Sequence, residues 1–231
     1  RQRQMCIRDR IKGTPFPVVI CKLGANEAID CQKGAMSWMS PNMQMQTTTG
    51  GIGKMFSRAL TGESLFKNKY IAQGGPGEIA FAATVPGNII AINVGEKEIV
   101  AQKSAYLASE QNVEMSIFFQ KKIGSGFFGG EGFIMQKFSG SGMVFIEVDG
   151  SVVEYDLAAG ESLLVDTGYV AAMDSTCSMD IVSTGGIGNA LFGGEGLFNT
   201  KVTGPGHVWL QTLPINALAN SLQPYIVTGS N

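Results

Sequence analysis

The chain is poor in the residues from which most active sites are built. It has one histidine, His207, and charged residues make up only 16% of its 231 positions. A lone histidine excludes a multi-histidine metal site. A Ser-His-Asp triad would have to recruit that same residue, and no nucleophile-elbow motif occurs. His207 opens the apolar run "HVWL" and reads as a strand-edge residue. The cysteines, Cys6, Cys21, Cys31 and Cys177, are widely spaced and form no C-x-x-C pair. That pattern excludes a disulfide framework or a zinc site and favours a reducing compartment, so the cytoplasm is the expected location. There is no secretory signal and no run of eighteen apolar residues, so no membrane span is predicted. "GGIGKM" at Gly50 resembles a phosphate loop only superficially. It lacks the G-x-x-x-x-G-K spacing and the Ser or Thr after Lys54.

Positive charge is also scarce once the first ten residues, "RQRQMCIRDR", are set aside. They are out of character with the rest and are expected to be a non-native leader. Removing their four arginines and one aspartate leaves 13 positive and 18 negative residues, moving the formal charge from −2 to −5. An acidic body is a poor partner for phosphate backbones, so nucleic acid is not an expected ligand. Lys54, Arg58, Lys67, Lys69, Lys121, Lys122 and Lys137 cluster around one repeated motif, and solvated lysines on a β surface are the expected reading.

What the chain has in plenty is glycine, 31 residues, together with 44% apolar residues. This composition suits a turn-rich β-protein. The glycines recur in order. "LFGGEGLF" at Leu191 has a near-copy, "FFGGEGFI", at Phe127 and a weaker one, "ALTGESLF", at Ala59. Their glutamates, Glu63, Glu131 and Glu195, lie 68 and 64 residues apart. Upstream stand "GGIGKMF", "KKIGSGF" and "GGIGNALF"; downstream stand glycines 77, 142 and 206. Three features recurring in one order define an internal repeat.

Each repeat reads as strands. Arm one is "GEIAFAAT", "GMVFIEV" or "GHVWLQTL"; arm two is "PVVICKL", "NIIAINV" or "SVVEYDL". Asp149-Gly150 lies between two such arms and predicts a tight hairpin, as Pro86-Gly87 does in the earlier copy. The N-terminal arm two and the C-terminal arm one are left over, which predicts that Gly206–Leu213 pairs with Pro17–Leu23 and closes a third hairpin. The units are then 11–76, completed by 206–213, followed by 77–141 and 142–205, with 206–231 as closing strand, short helix and tail. Short helices are predicted over Pro214–Leu222 and Lys54–Leu60.

The Gly-Glu-Gly motif is expected to be a repeated turn, with Gly permitting positive φ and the flanking apolar residues anchoring it. Glu63, Glu131 and Glu195 are candidate binding residues rather than general acids, because no partner carboxylate or histidine recurs beside them. The apolar pairs Phe127-Phe128 and Leu191-Phe192 are further candidates, as an apolar patch of this kind marks a subunit, partner or peripheral membrane surface. No catalytic residue, metal or cofactor is expected, and no small ligand is specified.

The stretches "GESLF", "GGPGEIAFA", "FGGEGFI", "DTGYVAAMD" and "LFGGEGLFNTKVTGPGHVWLQT" resemble the altered-inheritance-of-mitochondria protein 24 family over about residues 11–222. The resemblance implies an all-β fold like that of the trp RNA-binding attenuation protein, with three shortened double-stranded β-helix domains per subunit. It further implies a homotrimeric ring of nine such domains. Its mitochondrial member is linked to inner-membrane organisation, and the family carries no established catalytic residues. The expected function is therefore a non-catalytic, ring-forming scaffold or binding protein. An RNA-binding ring is the alternative by fold analogy, and an enzyme the third.

Overall fold

The architecture was taken from a computed structural model that describes residues 9–46, 67–121, 132–183 and 198–226. After a short strand β1 (Arg10–Lys12), the described residues form three units of six strands each. The first is β2 (Val18–Leu23), β3 (Ala28–Gln32), β4 (Met36–Met39), β5 (Met43–Gln46), β6 (Lys67–Ala72) and β7 (Gly77–Ala82). The second is β8 (Gly87–Asn93), β9 (Ile99–Gln102), β10 (Tyr106–Glu110), β11 (Val113–Lys121), β12 (Phe133–Gly140) and β13 (Met143–Asp149). The third is β14 (Val152–Leu157), β15 (Ser162–Asp166), β16 (Val170–Asp174), β17 (Ser178–Ser183), β18 (Phe198–Thr203) and β19 (Gly206–Gln211). Helix α1 (Ile215–Leu222) follows, as the sequence predicts; the predicted Lys54–Leu60 helix lies outside the described residues. The fold is all-β.

Every unit divides its strands between two sheets in the same way. Its first, sixth and third strands pair in that order, and so do its second, fifth and fourth. Neighbouring units then share sheets. The second strand of one unit pairs with the third strand of the next, as β3 with β10 and β9 with β16. Four sheets result, in the orders β1-β2-β7-β4, β5-β6-β3-β10-β13-β8, β11-β12-β9-β16-β19-β14 and β15-β18-β17.

Three apolar cores lie between these four layers. The first joins Val19, Cys21, Ile79 and Phe81 to Ile29, Leu107 and Phe145. The second joins Tyr106, Val144 and Ile146 to Ile99, Phe138 and Ala172. The third joins Val100, Met135 and Val208 to Val165 and Val202. The two six-stranded sheets therefore have a core on each face. This explains why β9 and β16 carry no polar-apolar alternation: "IVAQ" and "VAAMD" are buried throughout. By contrast β14 shows "VVEYDL" with four successive exposed residues.

Two sequence expectations need correction. The Asp149-Gly150 turn does not make a hairpin, because β13 pairs with β10 and β8 while β14 pairs with β19 in another sheet. Nor do the terminal arms close on each other: β19 lies between β14 and β16, and β2 between β1 and β7. Each arm one instead pairs with the arm two that begins its own unit. The turns between arms stack along the molecule, with Gly87 donating to the Pro15 carbonyl, Gly150 to Pro86 and Leu213 to Asp149. The glycine at 150 is needed for that stacking. Its φ is +75°, and a Cβ there would lie 2.6 Å from Thr212 Oγ1. Arg10, placed in the leader by composition, begins β1 opposite Ile20.

Candidate functional site

The repeated motifs singled out in the sequence fall between the fourth and fifth strands of each unit. Glu63, Glu131, Glu195, Phe127, Phe128, Leu191 and Phe192 all lie outside the described residues, as do Lys54, Arg58 and Lys122. Two lysines of the same group are described in ion pairs, Lys67 with Asp30 at 3.5 Å and Lys137 with Glu98 at 2.7 Å.

His207 stands near the start of its strand, as the sequence suggests: it is the second residue of β19, which lies inside its sheet, and it joins a polar cluster between the second and third units. Its Nδ1 shares a 2.6 Å hydrogen bond with Asp156, and its backbone N–H donates to Asp174 Oδ2 at 2.7 Å. Lys97 reaches across from the second unit to the same Asp174 oxygen at 2.7 Å and lies 5.5 Å from the Trp209 ring centroid. Trp209 donates to Glu154. The bond from His207 holds the Asp156 carboxyl below its usual range. Lys97 and the His207 N–H both engage Asp174 Oδ2, while its buried Oδ1 has no hydrogen-bond partner among the described residues, and the cluster reads as a clamp between units. Among the described residues no group of three or more His, Cys, Asp or Glu is placed to hold a metal ion. The buried thiols are poor nucleophiles. Burial, with Asp30 adding to it, pushes Cys31 up to about 12, while burial and then Asp9 raise Cys21.

One cavity of about 300 Å³ lies beside α1, lined by Gln102, Phe133, Asp149, Gly168, Gln211 and Ile215. Its polar groups are largely spent on each other. Gln102 and Gln211 both donate to the Gly168 carbonyl, and the Ile215 N–H donates to Asp149.

The features that stand out are the two ends of the layered stack. β4 and β15 are edge strands, whereas their equivalents in the other units, β10 and β16 on one side and β3 and β9 on the other, are paired. Both open edges carry exposed apolar side chains: Trp38 is 48% exposed, Met39 38% and Leu164 60%. Beside β15 opens a groove of about 760 Å³ lined by Val153, Tyr155, Leu163, Val165, Tyr169 and Leu210. Tyr155 and Val153 are exposed in it. An unpaired edge bearing large apolar residues is a template for another strand. Reasoning from the motifs passed over these residues. Comparing aligned positions of the three repeats would have shown them, since on the third strand the first repeat has Trp38 where the others have Ala108 and Ala172.

Comparison with known proteins places this geometry. The family model described as mitochondrial biogenesis AIM24 matches residues 10–213. The chain belongs to this family. An uncharacterized protein of Streptococcus pyogenes serotype M6 is 29% identical to it over 226 residues, spanning 94% of this chain and 89% of the relative. The crystal structure of another Streptococcus pyogenes protein superposes with a TM-score of 0.80 at 25% identity. That match covers 95% of this chain and 99% of the other. No helix among the described residues of this AIM24-family chain is long and apolar enough to cross a membrane.

Proposed function

We propose that this AIM24-family protein is a non-catalytic assembly subunit that joins head to tail into a homotrimeric ring and serves as a scaffold or binding platform. The observation that carries this reading is the pair of open edges. The three-stranded sheet ending at β15 is the second-fifth-fourth half of a shared sheet, and the sheet ending at β4 is the first-sixth-third half. Placed edge to edge, β17-β18-β15 and β4-β7-β2 make the six-strand arrangement that the chain already builds twice, with β1 added beyond β2 as a seventh strand.

The two edges differ from each other, so the contact is heterologous, and such a contact either closes into a ring or propagates as a filament. The family resemblance points to three copies. The acidic body and the buried, high-pKa thiols support a structural rather than a chemical role. Light scattering on the intact protein tests the reading. A mass three times that of the 24.5 kDa chain is expected, and a monomer across the micromolar range would refute it.

A further inference from the structure

In each shared sheet an aromatic residue stands opposite an alanine at one aligned cross-strand pair, and in the first unit the two have changed strands. In the second unit Phe145 on β13 lies opposite Ala108 on β10. In the third, Trp209 on β19 lies opposite Ala172 on β16. Both pairs face the core of the preceding unit: Phe145 and Ala108 belong to the first core, Trp209 and Ala172 to the second. In the first unit the same cross-strand pair is Ala80 on β7 opposite Trp38 on β4. The aromatic ring and the methyl group have exchanged strands, and the total bulk of the pair is kept.

A break in register at the same point, between Met36 and Trp38, Tyr106 and Ala108, and Val170 and Ala172, aligns the three pairs without ambiguity. Among the described residues no unit packs on the outer face of the first, and Trp38 is half exposed. Among the described residues none pairs with the outer edge of the third unit at β15, and its core opens as the groove of about 760 Å³. Val153 and Tyr155 in that groove occupy the positions of Ile90 and Ile92, which in the second unit pack in the same core as Ala172 and Trp209.

We propose that Trp38 of one copy is the plug for the groove of the next copy, seated against Val153, Tyr155, Leu163 and Leu210. The inference rests on the head-to-tail reading above and names the residues that make it specific. The internal junctions set the register. Ser109 lies opposite Asp30 and Met173 opposite Val100, so Met39 stands opposite Leu164 and Trp38 opposite Val165. Trp38 is then an anchor desolvated by a partner pocket, the setting in which an aromatic residue dominates association. A lone alanine pair at this boundary would leave the groove unfilled, whereas an aromatic on either strand fills it.

The test uses the intact chain in four forms: the parent, Trp38→Ala, Trp38→Ala with Ala80→Phe, and Val153→Asp. Sedimentation over a dilution series reads the assembly, and far-UV circular dichroism reads the fold. Trp38→Ala raises the dissociation midpoint by roughly thirtyfold or more. Restoring an aromatic on β7 in the double variant recovers most of that loss, which a general loss of stability would not allow. Val153→Asp, which places a carboxylate on a surface open in the single chain, dissociates the assembly with the circular dichroism unchanged. A parent that assembles while Trp38→Ala and Val153→Asp assemble equally well would overturn the plug and leave the ring standing. A monomeric parent would overturn both.

Discussion

The boundary between the second and third units and the outer face of the first unit are built from the same strands, yet one is dry and the other wet. At the boundary Ala172 and Met173 are fully buried, and β16 pairs on both sides. At the outer face the equivalent Trp38 and Met39 are exposed, and β4 pairs on one side only. The polar arrangements differ as well. The inner boundary is clamped by Lys97 on Asp174, whereas Ser40, in Asp174's place after β4, accepts from the Glu78 N–H within its own unit. A chain that needed only to fold would have little use for a tryptophan on an open edge. The contrast shows that the layering repeats within the chain and that its two outer edges carry what the internal boundaries bury.

The largest way to break the comparison is inside the stack. Phe145→Ala removes a fully buried ring from the first core and is expected to cost about 3–5 kcal/mol, measured by urea unfolding. Trp38→Ala in the dissociated chain is expected to cost about 1 kcal/mol or less by the same measurement, because the ring is half in water already. Equal costs would mean that the two aromatic positions are not the inner and outer versions of one device. Next in size is Asp174→Ala. It strands the His207 N–H and frees Lys97, with an expected loss of about 1–3 kcal/mol. The equivalent change at Ser40 should cost less.

The smallest effect concerns pH. Glu147 is buried at the end of β13, where it accepts from the Thr84 and Val85 backbone; Gln211 holds the equivalent place in β19 and accepts from Asp149. Burial raises the Glu147 carboxyl above its usual value of 4.5, with the Thr84 backbone bond opposing and the nearby Asp149 adding to the rise. The folded state then holds its proton more tightly than the unfolded state, so this group's contribution favours folding at low pH and declines as pH rises from 4.5 through the folded value. Glu147→Gln should flatten that part of the stability-pH curve and leave the protein no less stable at neutral pH. A curve unchanged in slope would show that Glu147 is not a source of it.

Much of this was legible in the sequence. Glycine-spaced copies, alternating strands and their order along each repeat follow from short-range chemistry, and the short C-terminal helix follows Pro214 as expected. Pairing partners were not legible. Asp149-Gly150 carries the local signature of a hairpin, yet the glycine is there because the turn stacks on Thr212 and Leu213, a contact between residues some sixty positions apart. Local turn chemistry cannot distinguish a chain that folds back from one that crosses to the next layer. The candidate site was missed for a similar reason. The Gly-Glu-Gly motif is what the repeats share, whereas the open ends are marked by where they differ. Trp38 stands out only beside Ala108 and Ala172, and Ala80 only beside Phe145 and Trp209.

The central claim is that β4 of one copy continues the sheet that ends at β15 of another, in the register of the internal junctions. Cysteines introduced at Met39 and Leu164 and joined by a short bis-maleimide test it most directly, with the parent chain as control. The account predicts a single covalent species of three chains under denaturing conditions, formed in the double variant and in neither single one. Absence of cross-linking in the assembled double variant, or an open ladder of ever longer products, would contradict it.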